Sequence, residues 1–267
     1  MATINSAQEI IWASGATPAA QNITVPAACN AVLMLWAYNP STAGHGLLSA
    51  TLNGNTPAQT RETESNTPEF PATGAAIWFN PATGTPIALD VDWDAAPLEG
   101  AITGLVLIEN ALTSGWRNAN STHTNTGTQQ TISVNTASGD LVIALDQRYD
   151  GTAPANEAGY TSVLTLSNAL EGGRIRSIVA TGSTQSASTQ DTNFSTIVAV
   201  SIIDGGGGGS TPGSGLASKT APIKSLVNGG LVASARRPGI VIPNRKIIVP
   251  RRAPLHLGRN FHSEARL

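Results

Sequence analysis

Residues 86–94 read PIALDVDWD. Ile87, Leu89, Val91 and Trp93 occupy alternate positions, with Ala88, Asp90, Asp92 and Asp94 between them. Successive side chains of an extended chain point to opposite faces, so this stretch reads as a strand with one dry and one wet face. On its N-terminal side the segment PATG at 81–84 supplies a turn, and AAIWFN at 75–80 a preceding strand. On its C-terminal side AITGLVLIEN at 101–110 supplies the next one.

The same reading extends in both directions. Strands are expected at residues 9–13, 21–26, 30–39, 47–52, 131–134, 140–149, 160–167, 174–180 and 193–204. The run NAVLMLWAYN at 30–39 is apolar on both faces, as is STIVAVSII at 195–203, which is the pattern of central strands. Asn53-Gly54 is a hairpin-turn signal. Residues 55–74 and 111–129 show no period and read as long polar loops. No stretch shows a capped 3.6-residue period. These features predict an all-β chain, an antiparallel β-sandwich of two sheets with jelly-roll-like character.

Composition narrows the class. Charged residues make up 12% of the chain, against about a quarter in an ordinary soluble domain. Thr, Ser, Asn and Ala must therefore cover the surface, as in many extracellular or virion β-proteins. The apolar fraction of 40% suffices for a core. The single cysteine, Cys29, permits no intrachain disulfide and no CxxC site, and it reads as a small buried hydrophobe. The N-terminus has no basic and apolar signal pattern, and no apolar run reaches the ~20 residues of a membrane helix. Synthesis in a cytoplasm and no membrane partner are expected.

Residues 205–215, GGGGGSTPGSG, separate two compositions. Residues 1–204 carry sixteen of the seventeen acids and five of the fifteen basic residues, a net −11. Residues 216–267 carry ten basic residues and one acid, a net +9. The expected organisation is a sandwich domain at 1–204, a Gly/Ser linker at 205–215 and a basic, Pro-rich extended arm at 216–267. In the arm, Pro238, Pro243, Pro250 and Pro254 exclude a continuous helix. Two aliphatic triplets, Ile240, Val241, Ile242 and Ile247, Ile248, Val249, alternate with Arg236, Arg237, Arg245, Lys246, Arg251 and Arg252. Nucleic-acid tails do not need aliphatic triplets, whereas a protein groove does. These twelve residues are the candidate partner contacts, and nucleic acid is disfavoured.

Candidate chemistry is sparse. Asp90, Asp92 and Asp94 share a strand face, but neighbours at a spacing of about 6.5–7 Å are too far apart for one ion without a bulge. They are weak metal candidates beside the reading of a solvated face. His45, His123, His256 and His262 show no ligand spacing, and no Gly-x-Ser-x-Gly elbow supports a triad. No catalytic residue and no cofactor are expected. Trp116, within SGWRNANST, is the candidate contact for a glycan, since an exposed indole can stack on a sugar ring; a loop folding back onto the core would need the same residue.

The segments ITVPAACNAVLMLWAYN (23–39), ATLNG (50–54), AIWFNPATGTPIALDVDW (76–93), GDLVIALDQRY (139–149) and STIVAVSII (195–203) occur in an order that resembles a family of β-sandwich domains common in tailed-phage virion proteins. The resemblance covers residues 5–204 and carries no catalytic motif; the arm lies outside it. It implies a non-enzymatic virion structural protein, made in a host bacterial cytoplasm. A capsid decoration or cement role is expected, with other virion proteins (major capsid or tail proteins) and copies of itself as partners in a homo-oligomer. The alternative is a tail- or fibre-associated module that recognises host glycan.

Overall fold

The computed structural model describes residues 1–14, 17–40, 45–63, 72–124, 128–168, 171–190 and 195–205. Residues 206–267, which hold most of the expected linker and all of the expected arm, lie outside them. Every regular element described is a β-strand. The first eight are β1 (Thr3–Ile11), β2 (Gln21–Thr24), β3 (Cys29–Pro40), β4 (Leu47–Leu52), β5 (Gln59–Thr63), β6 (Ala72–Phe79), β7 (Pro86–Trp93) and β8 (Pro97–Glu109). Seven follow: β9 (Ala111–Thr124), β10 (Thr131–Asn135), β11 (Leu141–Tyr149), β12 (Thr161–Ser167), β13 (Glu171–Val179), β14 (Thr184–Ser188) and β15 (Ser195–Asp204).

The strands form four antiparallel sheets rather than the two expected. Their orders are β1-β8-β3-β6-β5, β2-β7-β4, β12-β13-β11-β15-β9 and β10-β14. Up to β8 the strands pair from the outside inward, β1 with β8, β2 with β7 and β3 with β6. From β9 onward the pattern repeats, β9 with β15, β10 with β14 and β11 with β13. Each half is thus one antiparallel ribbon folded back on itself. The registers agree too: Val32 stands opposite Trp78 and Leu107, and Val142 opposite Ile178 and Ser201. The sequences retain only traces of the correspondence, such as ITV at 23–25 against ISV at 132–134, and VLML at 32–35 against VIAL at 142–145.

Three cores lie between the four sheets. β3 explains why its sequence is apolar on both faces. Val32, Met34, Trp36 and Tyr38 enter the core shared with the β2-β7-β4 sheet, where Tyr38 stacks on Trp93 at 4.7 Å between ring centroids. Ala31, Leu33, Leu35 and Ala37 enter a second core against Ile143, Leu145, Ile175, Val198 and Val200 of the other five-stranded sheet. A third, smaller core joins Val142, Ala144, Ile197 and Ala199 to Ile132, Val134 and Ala187 of the β10-β14 sheet. Across the central core β1 lies against β12, β5 against β9, and β3 against β11. A two-fold axis through β3 and β11 produces this pattern, because β1 corresponds to β9 and β5 to β12.

The alternation expected at 86–94 is present: Ile87, Leu89, Val91 and Trp93 are buried, Asp90 and Asp94 exposed and Asp92 half-buried. Cys29 is a free, buried thiol whose pKa burial pushes up. Two expected loops are corrected. Residues 111–124 form β9, fourteen residues long, and 59–63 form β5 within the segment read as a polar loop. β14 was not expected at all. β5 and β9 are edge strands rich in Thr, Ser, Asn and Gln, fixed by backbone ladders with β6 and β15 and not by apolar alternation.

The central core depends on close approach at Gly104 of β8. A Cβ there would stand 2.1 Å from Cδ1 of Ile175 on the facing sheet. Gly104→Ala is expected to lower stability by about 1–3 kcal/mol through overpacking. Combining it with Ile175→Val, which removes that methyl, should restore part of the loss in urea unfolding; strictly additive costs would mean the two sheets do not meet there.

Candidate functional site

Asp90 and Asp92 lie on β7, the middle strand of its sheet, and Asp94 directly follows it. They are not gathered. Asp92 Oδ2 accepts from Ser49 Oγ at 3.0 Å, and Asp94 Oδ1 accepts from the Gly46 amide at 2.8 Å. His45 Nδ1 stands 3.2 Å from Asp94 Oδ2 without hydrogen-bond alignment. Among the described residues no group of three His, Cys, Asp or Glu side chains is placed to hold a metal ion. Nor does a described hydroxyl or thiol hydrogen-bond to His45 or to His123; burial lowers the pKa of His123.

Trp116 lies on β9, half-buried, with its ring packed against the central core. Its amide donates to Gln59 Oε1 at 2.6 Å, which ties β9 to β5. The candidate partner contacts between Arg236 and Arg252 lie outside the described residues.

Sequence reading missed a buried polar cluster in the second half. The outer edge of β7 is covered by β4, but β14, its counterpart, has no such neighbour among the described strands. Side chains from elsewhere satisfy its free backbone groups. The Ser188 amide donates to Glu157 Oε2 at 3.1 Å, the Ser188 carbonyl accepts from Arg176 Nη2 at 2.5 Å, and the Ser186 carbonyl accepts from the Tyr160 hydroxyl at 2.7 Å. Arg176 and Asp146 are wholly buried and paired at 3.2 Å, and Arg176 also meets Glu157 at 2.8 Å. The guanidinium lies 5.3 Å from the Tyr160 ring centroid. Burial pushes the Asp146 carboxyl up to about 6, opposed by Arg176 and the Gln190 amide. The corresponding positions in the first half are Trp36 and Ala76, which are apolar. The signal available in the sequence was charge inside strands, Asp146 in VIALDQ and Arg176 in RIRSI.

Two other carboxyls are set apart by their surroundings. At Asp140 burial acts upward, but hydrogen bonds from Arg117 Nε at 2.5 Å and the Ala137 amide at 2.8 Å outweigh it and hold the pKa below the ordinary range. Glu171, at the start of β13, is fully buried; one oxygen accepts from Asn168 Nδ2 at 3.3 Å and the other has no partner. Burial raises its pKa well above the usual value.

The open end of the first half carries a cleft of about 370 Å³. The turn after β4 brings Asn53, Asn55 and Thr56 to it, and the turn after β6 brings Asn80, Pro81 and Ala82. Leu52, Trp78 and Ile87 form a buried floor with half-buried Phe79, and exposed Thr113 of β9 closes one side. Asn53 and Asn80 both take positive φ, 51° each. Backbone hydrogen bonds pin both turns, from Asn53 to Ala88 O at 2.7 Å and from Asn80 to Asn30 O at 2.8 Å. Trp78 Nε1 donates to Asn55 O at 2.8 Å, which fixes the indole. Among the described residues no ionisable side chain lines the cleft.

Comparison with protein-family models, with curated proteins and with solved structures finds no match to this chain. The class the geometry defines is therefore an all-β, antiparallel sandwich protein with a doubled ribbon.

Two outcomes test the buried charges. Arg176→Met should cost about 3–5 kcal/mol in urea unfolding, because it leaves Asp146 and Glu157 without their cation; a loss under 1 kcal/mol would show that the cluster is not formed. Glu171 binds its proton more tightly folded than unfolded, so its contribution is fully present below the unfolded value near 4 and falls as pH rises. Glu171→Gln should therefore match the parent at pH 4 and unfold about 2–4 °C higher at pH 8. An equal melting difference at both pH values would remove the assignment.

Proposed function

We propose that this protein is a non-enzymatic structural component of a tailed-phage virion, a capsid decoration or cement protein that docks on other subunits through residues 216–267. The observation that carries the reading is the pairing of strands from the outside inward, present twice. That pairing is jelly-roll-like, and jelly rolls recur in capsid and lectin domains. The sparse surface charge supports the same reading, as does the contrast between a net −11 over residues 1–204 and a net +9 over residues 216–267. The basic residues from Arg236 to Arg252 would meet acidic surface on partner subunits, and the triplets at 240–242 and 247–249 would fill apolar grooves. Location in the virion, partnership with major capsid or tail proteins and assembly with further copies belong to this proposal.

The alternative, a tail- or fibre-associated module that reads host glycan through Trp116, has less support, since that indole packs on the central core. The decisive experiment compares the full chain with a chain ending at residue 215 in purified particles from cells making each version. The full chain is expected in the particles at a fixed copy number. The shortened chain should keep its circular dichroism spectrum and be absent from them. Absence of the full chain, or normal incorporation of the shortened one, would overturn the reading.

A further inference from the structure

The cleft between the turns after β4 and β6 has the chemistry of a site for a neutral ring. Its floor is apolar, formed by Leu52, Trp78 and Ile87 with half-buried Phe79. Its rim is amide and hydroxyl, with Asn53, Asn80, Thr56 and Thr113 all exposed. The Asn53 and Asn80 side chains make no hydrogen bond among the described residues, so each offers a donor and an acceptor to the cleft. A pyranose presents the matching surfaces, a C–H face toward the floor and hydroxyls toward the rim. Among the described residues the lining has no charge that would favour a phosphate, a carboxylate or a cation. A cleft of about 370 Å³ accepts one such ring with part of a neighbour.

The fold does not require this lining. Counting along the shared register, Trp78 corresponds to Ile178 and Asn80 to Ala180, so the second half makes its turn without the amide. β4, which carries Leu52 into Asn53, has no counterpart there at all. The rim is also preorganised. Both asparagines sit in the left-handed region, held by backbone hydrogen bonds to neighbouring strands, so the backbone of the rim needs little ordering and only the two amide side chains are fixed on binding.

We propose that this cleft binds a single uncharged pyranose unit, held by the Asn53 and Asn80 amides over the Trp78–Phe79 floor. The proposal is independent of the virion reading: sugar binding can fail while docking through residues 216–267 stands, and the reverse.

The test uses the full chain and saturation-transfer NMR with methyl glucosides, galactosides and mannosides of both anomers and with N-acetylglucosamine. At least one should receive saturation on its C–H face. The informative variant is Asn53→Gly with Asn80→Gly, because glycine adopts positive φ without strain and only the amides are lost. An unchanged melting temperature with binding weakened about tenfold or more is expected. Thr113→Val, which keeps the shape and removes a hydroxyl, gives a second reading that does not touch either turn, and should also weaken binding. Absence of transfer to every sugar would overturn the proposal, and so would transfer that both variants leave unchanged.

Discussion

The architecture depends on one buried contact, the face-to-face packing of the two five-stranded sheets. β3 and β11 lie at its centre, and each is buried on both faces. A strand in that position feeds two cores at once. Removing volume from it would weaken the central layer and one outer layer together, so the three cores are not independent. The approximate two-fold arrangement follows from the same contact. Two halves with one strand order bury their equivalent faces against each other, as the subunits of a symmetric dimer do, although here one chain supplies both.

The halves differ where their sheets end. β7 is flanked by β2 and β4, and its backbone groups find strand partners on both sides. Among the described strands β14 pairs only with β10, and on its other side the side chains of Glu157, Tyr160 and Arg176 meet its backbone. This arrangement explains why an arginine and two acids are found in and beside the third core. Each buried backbone donor or acceptor must be satisfied, and charged side chains reach further than hydroxyls. The cost is desolvation, visible in the raised pKa of Asp146.

Much of the fold was legible in the sequence, and the omissions have a physical pattern. β3, β7, β8, β11 and β15 announce themselves because burial on one or both faces imposes apolar alternation or a continuous apolar run. β5, β9 and β14 do not, since they lie where backbone ladders rather than side-chain burial fix the conformation. Missing β9 left two readings of Trp116 open, exposed or folded back onto the core, and the strand turns its ring toward the core. The internal duplication was hidden for a related reason. Register is preserved through pattern, and ITV against ISV satisfies the same pattern as many unrelated strands would. The uncharged cleft was not legible, because its two sides are distant in the sequence and its character comes from turn geometry at Asn53 and Asn80. The alternation along β7 was read correctly; Asp92 accepts from Ser49 Oγ, and Asp94, just beyond the strand, accepts from the Gly46 amide.

β15 leads out of the second half at Gly205, whose amide donates to Asn110 O at the junction of the two halves. That strand is hydrogen-bonded along both sides, to β11 and to β9. A pull applied at Gly205 is therefore resisted by two ladders and by the apolar contacts of Val198, Val200 and Ile202 in the central core. β15 is a mechanical root and not a frayed end: force reaching it is shared across the sheet, and the strand cannot be drawn out without opening the layer on which both halves rest.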